Sequence, residues 1–286
     1  MQSGHWKATY TENRKGLRRF SKRAYKKIGI SVDDVDINTE IRKELLLKHY
    51  KNKSPHIGSE FSCIEILTTL YFSIMKNNDR FILSKGHAAP ALYAILHRKG
   101  IMSDEMYNSY GKDGSLLAEH PTYGIPGIDV ATGSLGHGLS IGIGFALASK
   151  MDNTDARIFV LMGDGELQEG SVWEGMNCAR RFNLDNLIVI VDNNRWQGYD
   201  RTSEIQDIKH SKNAFCASGW NVLEINGNKN LEVEEALSKS LLKNGSPKLI
   251  IADTIIGKGS RSMEDRLESH YRPPNDAQLN EGIMGA

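Results

Sequence analysis

Five short runs rich in Ile, Val, Leu and Phe recur along the chain, at Arg80 to Ser84, Arg157 to Met162, Asn186 to Val191, Trp220 to Ile225 and Lys248 to Ala252. They constrain the fold more than any other feature, because near-continuous apolar strands must be buried on both faces. Helical pattern fills the gaps, at Leu139 to Lys150, Val172 to Phe182 and Leu231 to Leu242. Strands alternating with helices predict an α/β fold, a doubly wound and mainly parallel sheet with helices on both faces. Upstream, Asn38 to Lys53 reads as a helix with Asn38 as N-cap, and Phe61 to Met75 as a mostly buried helix.

No Pro/Ser-rich linker and no internal repeat divides the alternation, so the chain reads as one domain over residues 38–286, preceded by an arm over residues 1–37. With 286 residues, 40% of them hydrophobic and 25% charged, a sizeable core is available and fibrous or largely disordered classes are excluded. Lys+Arg 36 against Asp+Glu 35 argues against a nucleic-acid binder. The arm is the exception, holding nine basic residues in its first 27 against the single acid Glu12. It reads as a solvated arm that packs on a partner, not as a targeting segment, since it has no apolar signal core. Cys63, Cys178 and Cys216 are odd in number and lie in apolar segments, which points to core residues in a reducing cytoplasm. No run approaches the ~18 apolar residues of a membrane span.

The run ending at Met162 continues into Gly163-Asp164-Gly165, and the next ends in Asp192-Asn193-Asn194. Parallel strands joined by one crossover helix lie side by side or nearly so, which brings Asp164 and Asn194 to one point beyond the carboxyl edge of the sheet, where such folds bind ligands. A carboxylate and an amide oxygen suit Mg2+ or Ca2+, hard cations that leave positions for phosphate oxygens. Gly163 and Gly165 keep side chains away from that ion. Ordinary turns use the same residue types, but two buried strand ends flanking one helix favour a diphosphate bridged to the protein by a divalent ion. A second cluster, Gly133-Ser134-Leu135-Gly136-His137-Gly138, opens the apolar helix. It matches neither the P-loop nor the dinucleotide fingerprint. It lets backbone approach a flat heteroaromatic ring, with Gly142 and Gly144 allowing tight helix packing. Of nine histidines, His56, His87, His120 and His270 stand in Gly- or Pro-flanked loops. One such histidine is ordinarily structural; four above the strand ends can contact phosphates and move protons near neutral pH. His5, His49, His97, His137 and His210 read as structural.

Taken together, GDGELQEGSVWEG followed by DNN, FILSKGHAAPALYAIL, AEHP, ATGSLGHGLS and IIGKGS resemble the thiamine diphosphate enzymes and, among them, the transketolase family, from about residue 38 to about 280. Pyruvate-dehydrogenase-type α subunits share the cofactor signature but not the LQEG, SKGHAAP and GSLGHG segments. The resemblance implies thiamine diphosphate with Mg2+, for which Ca2+ or Mn2+ substitutes. It implies metal ligands at Asp164, Asn194 and the backbone carbonyl of Trp196, and cofactor contacts from His87, Gly163, Gly165, Glu166 and His270. Gly133 and Leu135 would lie beside the organic rings. His56 and His120 would meet sugar hydroxyls and the carbonyl, making them, with His87 and His270, the catalytic histidines. Glu169 matches an acid that links paired sites at the subunit interface.

The activity so implied is transfer of a two-carbon ketol unit from a ketose or ketose phosphate to an aldose. In the family a glutamate of a following pyrimidine-binding domain activates the cofactor, and this chain ends at Ala286, before any such domain. The expectation is the N-terminal subunit of a split transketolase, cytoplasmic and inactive alone. A separate C-terminal subunit would complete it as α2β2, with sugar substrates and no nucleic-acid or membrane partner. SPHIGS replaces the family's SGHPG turn, Tyr271-Arg272-Pro273-Pro274 follows His270, and Trp196-Gln197-Gly198-Tyr199 is bulky after the Asn. These departures imply an unusual acceptor, such as a modified or nucleotide-linked sugar. The alternatives are a subunit of another thiamine diphosphate enzyme, α-keto-acid decarboxylating or deoxyxylulose-phosphate-synthase-like, and a non-catalytic binding subunit.

Overall fold

Strand residues sort by parity onto two cores. The computed structural model describes residues 36–284. Its sheet holds β1 (Arg80–Leu83), β2 (Ile158–Gly163), β3 (Leu187–Asn193), β4 (Asn221–Asn226) and β5 (Lys248–Asp253) in the order β1-β2-β3-β5-β4, every pair parallel. Leu83, Leu161, Ile190 and Ile250 stand in register across one face, and Ile82, Val160, Val189 and Leu249 across the other. The first face is covered by α1 (Ile37–Asn52), α2 (Ile57–Phe61), α3 (Ile64–Thr69) and α4 (Ala89–Arg98). The second is covered by α5 (His137–Met151), α6 (Gly170–Arg181) and α7 (Ile208–Ala217), and α8 (Asn230–Ser240) returns to the first. Each buried Ile, Val or Leu contributes about 1.5–3 kcal/mol, so two-sided burial is what holds these short strands. Edge strand β4 is the exception: it alternates exposed and half-buried residues and carries Glu224, which discourages pairing with another sheet.

The doubly wound parallel fold is as the alternation predicts, and each strand and each of the three helices falls within a few residues of its expected place. Other details differ. The N-cap of α1 is Asp36, whose carboxylate accepts the N–H groups of Asn38 and Thr39 at 3.1 Å; Asn38 is already inside the helix. The expected helix over Phe61 to Met75 is broken at Ser62-Cys63 and ends in a widened turn over Leu70–Ile74. The break has a tertiary cause, since the Ser62 hydroxyl is committed to Asp192 on β3 at 2.6 Å. Only Cys63 is a core residue, with burial pushing its thiol up to about 12, whereas Cys178 is half-buried and Cys216 exposed. The basic arm lies outside the described residues apart from Asp36 and Ile37. Among the described residues no helix is long and apolar enough to cross a membrane.

Glycine in α5 does what was expected at one of the two positions named. A Cβ on Gly142 would stand 2.5 Å from Val160 Cγ2, and one on Gly138 would stand 2.4 Å from Ser84 Cβ and 2.9 Å from its Cα, so the helix lies directly on β1 and β2. A Cβ on Gly144 would meet nothing within 4 Å. Gly138→Ala is therefore expected to lower stability by about 1–3 kcal/mol through overpacking, and Gly144→Ala to raise it by up to about 1 kcal/mol through helix propensity. Urea unfolding midpoints of the isolated chain check both signs.

Candidate active site

The carboxyl ends of β1, β2, β3 and β5 meet at one rim. β2 runs out at Gly163, paired in register with Asp192 of β3, and a tight 3-10 turn follows over Asp164–Gln168. The buried Asp164 carboxylate accepts the N–H of Gly165 at 2.9 Å, the N–H of Arg195 at 3.1 Å and the hydroxyl of Thr202 at 2.5 Å, which draws the loop after β3 onto it. Asn194 is also buried, its Oδ1 accepting the N–H of Trp196 at 3.1 Å. Even with three donors, burial pushes the Asp164 carboxyl up to about 7, with repulsion from Asp192 adding to it.

A divalent ion fits this donor set. Among the described residues no cluster of three His, Cys, Asp or Glu side chains is arranged to hold one. The ion would therefore be shared between Asp164, Asn194, backbone oxygen and non-protein oxygens, the pattern of Mg2+ with a phosphate. The space is there: a Cβ on Gly163 would meet only Lys85 Cβ, at 3.9 Å, so no packing within the chain demands glycine at that strand end. Gln197, beside Gly165, leaves its Nε2 buried without a partner.

All four loop histidines converge. The His56 ring lies 5.5 Å from His87, 6.4 Å from His120 and 6.0 Å from His270, with His87 and His270 5.7 Å apart. His56 caps α2 in the left-handed region (φ 68), and its Nδ1 is buried without a partner. A non-glycine residue held there stores strain, which clusters at functional sites. The chain from Leu267 reaches the site through a short helix, α9 (Glu268–Tyr271), where His270 Nδ1 lies 3.3 Å from Ser59 Oγ. The Tyr93 hydroxyl lies 3.0 Å from the carbonyl of Ala118 and 3.2 Å from that of His120, which holds the His120 turn. Gly133 lies against His120, where a Cβ would approach its Cδ2 to 3.3 Å, and Leu135 is 37% exposed beside it. Burial is the chief reason that His56, His87 and His270 titrate below the ordinary histidine range, His270 at about 4. These rings are neutral at pH 7.

Two arrangements were not legible in the sequence: a buried ion pair, and the hydrogen bonding within the protein of Glu166, which the resemblance gives as a cofactor contact. Lys85 is fully buried, its Nζ donating to Asp192 and, at 2.9 Å, to the Ser59 carbonyl. Asp192 also accepts the hydroxyls of Ser62 and Thr254. Lys85 stood within SKGHAAP and Asp192 opened the Asp-Asn-Asn run, yet neither identity nor spacing announces a buried pair. Glu166 is a buried strut: Oε1 accepts the Ser84 hydroxyl at 2.6 Å and the Gly136 N–H at 2.8 Å, and Oε2 the Gly163 N–H at 2.8 Å. Both its oxygens are thus engaged by protein donors. Gly136 is at φ 81, and a Cβ there would fall 2.6 Å from Glu169 Cβ, so glycine is needed to deliver that N–H.

Comparison with known proteins follows the same lines. Residues 39–282 match the family described as transketolase, thiamine diphosphate binding domain. The chain is 40% identical over 264 residues to an apulose-4-phosphate transketolase subunit of Phocaeicola vulgatus, covering 89% of this chain and 94% of that one. It is 38% identical over 240 residues to a 6-deoxy-6-sulfo-D-fructose transketolase subunit of Clostridium sp., covering 80% and 87%. The crystal structure of transketolase from Campylobacter jejuni superposes with a TM-score of 0.79 at 30% identity, over 88% of this chain and 42% of that chain. The chain thus spans nearly all of the subunits it matches and about two fifths of that full-length enzyme.

Two outcomes follow from the buried groups. Replacing Asp192 by Leu strands the Lys85 charge and is expected to cost about 3–5 kcal/mol, while the double change Lys85→Met/Asp192→Leu recovers part of it; a double-mutant cycle completed by Lys85→Met and read by urea unfolding measures both. For His270 the folded pKa lies below the unfolded one, so its contribution is present above about pH 6.5 and is lost as pH falls toward 4, where the unfolded chain takes the proton first. The buried acids Asp164, Glu60 and Glu166, all raised, pull the opposite way. The readout is accordingly the difference between proteins: a His270→Gln variant should lose less stability than the parent between pH 6.5 and 4.

Proposed function

The chain belongs to the transketolase family, and on that premise we propose that it is the N-terminal, cofactor-diphosphate-holding subunit of a split transketolase that transfers a two-carbon ketol unit from a ketose to an aldose. The observation that carries the reading is the convergence of four histidines, with Gly198 of the loop that is tied to Asp164 packed beside His270. A separate subunit would supply the pyrimidine-binding half, in an α2β2 assembly in the cytoplasm. The names of the relatives, apulose-4-phosphate and 6-deoxy-6-sulfo-D-fructose transketolase subunits, support a modified ketose bearing an anionic group as substrate.

Thiamine diphosphate, when bound, supplies the nucleophilic carbon and electron sink for the transfer. The rest falls to protein residues. Asp164, Asn194 and the carbonyl of Trp196 would hold Mg2+. His87 and His270, kept neutral by burial, would each donate one N–H to the diphosphate, leaving the ion to balance its charge. The N–H of Gly165 now serves Asp164, and Gly163 leaves the approach open. Gly133 and Leu135 would bring backbone against the organic rings. Glu166 would act from behind, fixing Gly136 and Gly163 without touching the cofactor. His56, with its unpartnered Nδ1, and His120 would hold sugar hydroxyls and carry protons to and from the substrate's oxygens.

The test is reconstitution with a candidate C-terminal transketolase subunit that carries the pyrimidine-binding domain. The expected outcome is Mg2+-dependent thiamine diphosphate binding by calorimetry, turnover of phosphorylated or sulfonated ketoses, no turnover of pyruvate, and no activity of the chain alone. Turnover of pyruvate in place of ketoses would establish the α-keto-acid alternative, and absence of cofactor binding with the partner present the non-catalytic one. In the active pair, His120→Ala is expected to lower kcat/KM about 10²–10⁴-fold with cofactor affinity unchanged, and Asp164→Ala to abolish Mg2+-dependent binding.

A further inference from the structure

The loop after β3 folds back as a small hairpin. Trp196 and Arg201 pair as an antiparallel bridge, Gln197 donates its N–H to the Asp200 carbonyl at 2.9 Å, and Thr202 donates its own to the Arg195 carbonyl at 3.0 Å. The base of the hairpin is tied to Asp164 by the Arg195 N–H and the Thr202 hydroxyl. Its outer side is tied elsewhere. Asp265 accepts the Trp196 indole N–H at 2.8 Å and both arms of the Arg201 guanidinium at 3.0 Å, and that guanidinium lies 4.2 Å over the Trp196 ring. Asp265 is itself in the left-handed region (φ 55), its N–H given to the Ile256 carbonyl at 3.1 Å, and five residues later the chain reaches His270. At the hairpin tip, a Cβ on Gly198 would stand 3.8 Å from the His270 ring.

We propose that Trp196, Arg201 and Asp265 are positioning residues, a clasp that sets the distance between the Asp164–Asn194 rim and His270. The inference rests on the functional reading above, in which both ends meet the same diphosphate. Three N–H donors on one carboxylate, two of them from a forked guanidinium, fix direction as well as distance. The Arg201 and Asp265 side chains are 40% and 55% exposed, so the pair adds little to global stability. What it supplies is alignment: without it the His270 loop and the rim are joined by no other polar link through these three side chains, and the ligand itself must bring them together. The clasp side chains contact one another, and their effect passes through His270 and the rim.

Calorimetric titration of thiamine diphosphate into the reconstituted pair at saturating Mg2+ tests this. Asp265→Ala and Arg201→Ala are expected to weaken binding about five- to tenfold, with kcat restored to within about twofold once cofactor saturates. Arg201→Lys, which keeps the charge but not the fork, is expected to recover only part of the affinity. Trp196→Phe, which keeps the ring under Arg201 but loses the N–H, should fall between parent and Asp265→Ala. Lys243→Ala breaks a more exposed ion pair, to Asp155, near the amino-terminal edge of the sheet and should change nothing. Affinity of Asp265→Ala within twofold of the parent overturns the clasp. So does a lowered Tm or assembled fraction with unchanged affinity at the remaining sites, which marks a structural role. Failure of the parent pair to bind the cofactor at all overturns the functional reading itself, a separate outcome.

Discussion

A lysine without solvent contact lies beneath the site, and the rim is organised around it. Taking an ammonium group into the interior costs several kcal/mol unless an anion and further acceptors receive it. Lys85 finds Asp192 and the Ser59 carbonyl, and Asp192 in turn takes the Ser62 and Thr254 hydroxyls. One charge pair thereby joins the end of β1 to β3, to the exit of β5 and to the start of α3. The price in continuity is the break in the helix at Ser62-Cys63. The same ammonium stands among the groups that keep His56, His87 and His270 from protonating. The buried cation ties the strand rim together, and it adds to the burial that chiefly keeps the three histidines neutral.

Most of the fold was legible because burial on two faces leaves a plain sequence record. The strands reveal themselves as unbroken apolar runs, and their parity places Leu161 and Ile190 on one core and Val160 and Val189 on the other. Site residues were legible where local chemistry is unusual: glycines flanking an acid at a buried strand end, histidines next to Gly or Pro. Glu166 stood in the same motif, yet nothing in its position shows that it is consumed by three donors from three segments. Asp36 as cap, the fate of Cys216 at the surface and the open flank at Gly144 depend on which way an element faces, and that is decided by neighbours distant in sequence. Pairings such as Lys85 with Asp192, or Asp265 with Arg201, join loops whose separation along the chain carries no periodic signal.

Several segments that reach the rim are fastened to their neighbours by polar links as well as by packing. Thr202 and Arg195 fasten the β3 loop to Asp164, Thr132 fastens the Gly133 segment to the Leu83 carbonyl at 2.7 Å, and Tyr93 fastens the His120 turn. The core beneath is rigid and apolar, while the ring of loops above it is a hydrogen-bonded lattice. That division suits a half-site, because polar links can be adjusted by an incoming ligand or protein partner without disturbing the packed layers below.

Glu166 sits only three residues beyond Gly163, and its two carboxylate oxygens reach the end of β1, the start of α5 and its own strand end at once. The turn after β2 is therefore a spacer of fixed gauge. One residue more or fewer would swing the carboxylate off all three donors together and leave the N–H of Gly136 facing an empty position. The turn's length is as constrained as its composition, and insertions that enlarge or reshape a substrate pocket in such a fold must enter through the other loops of the rim.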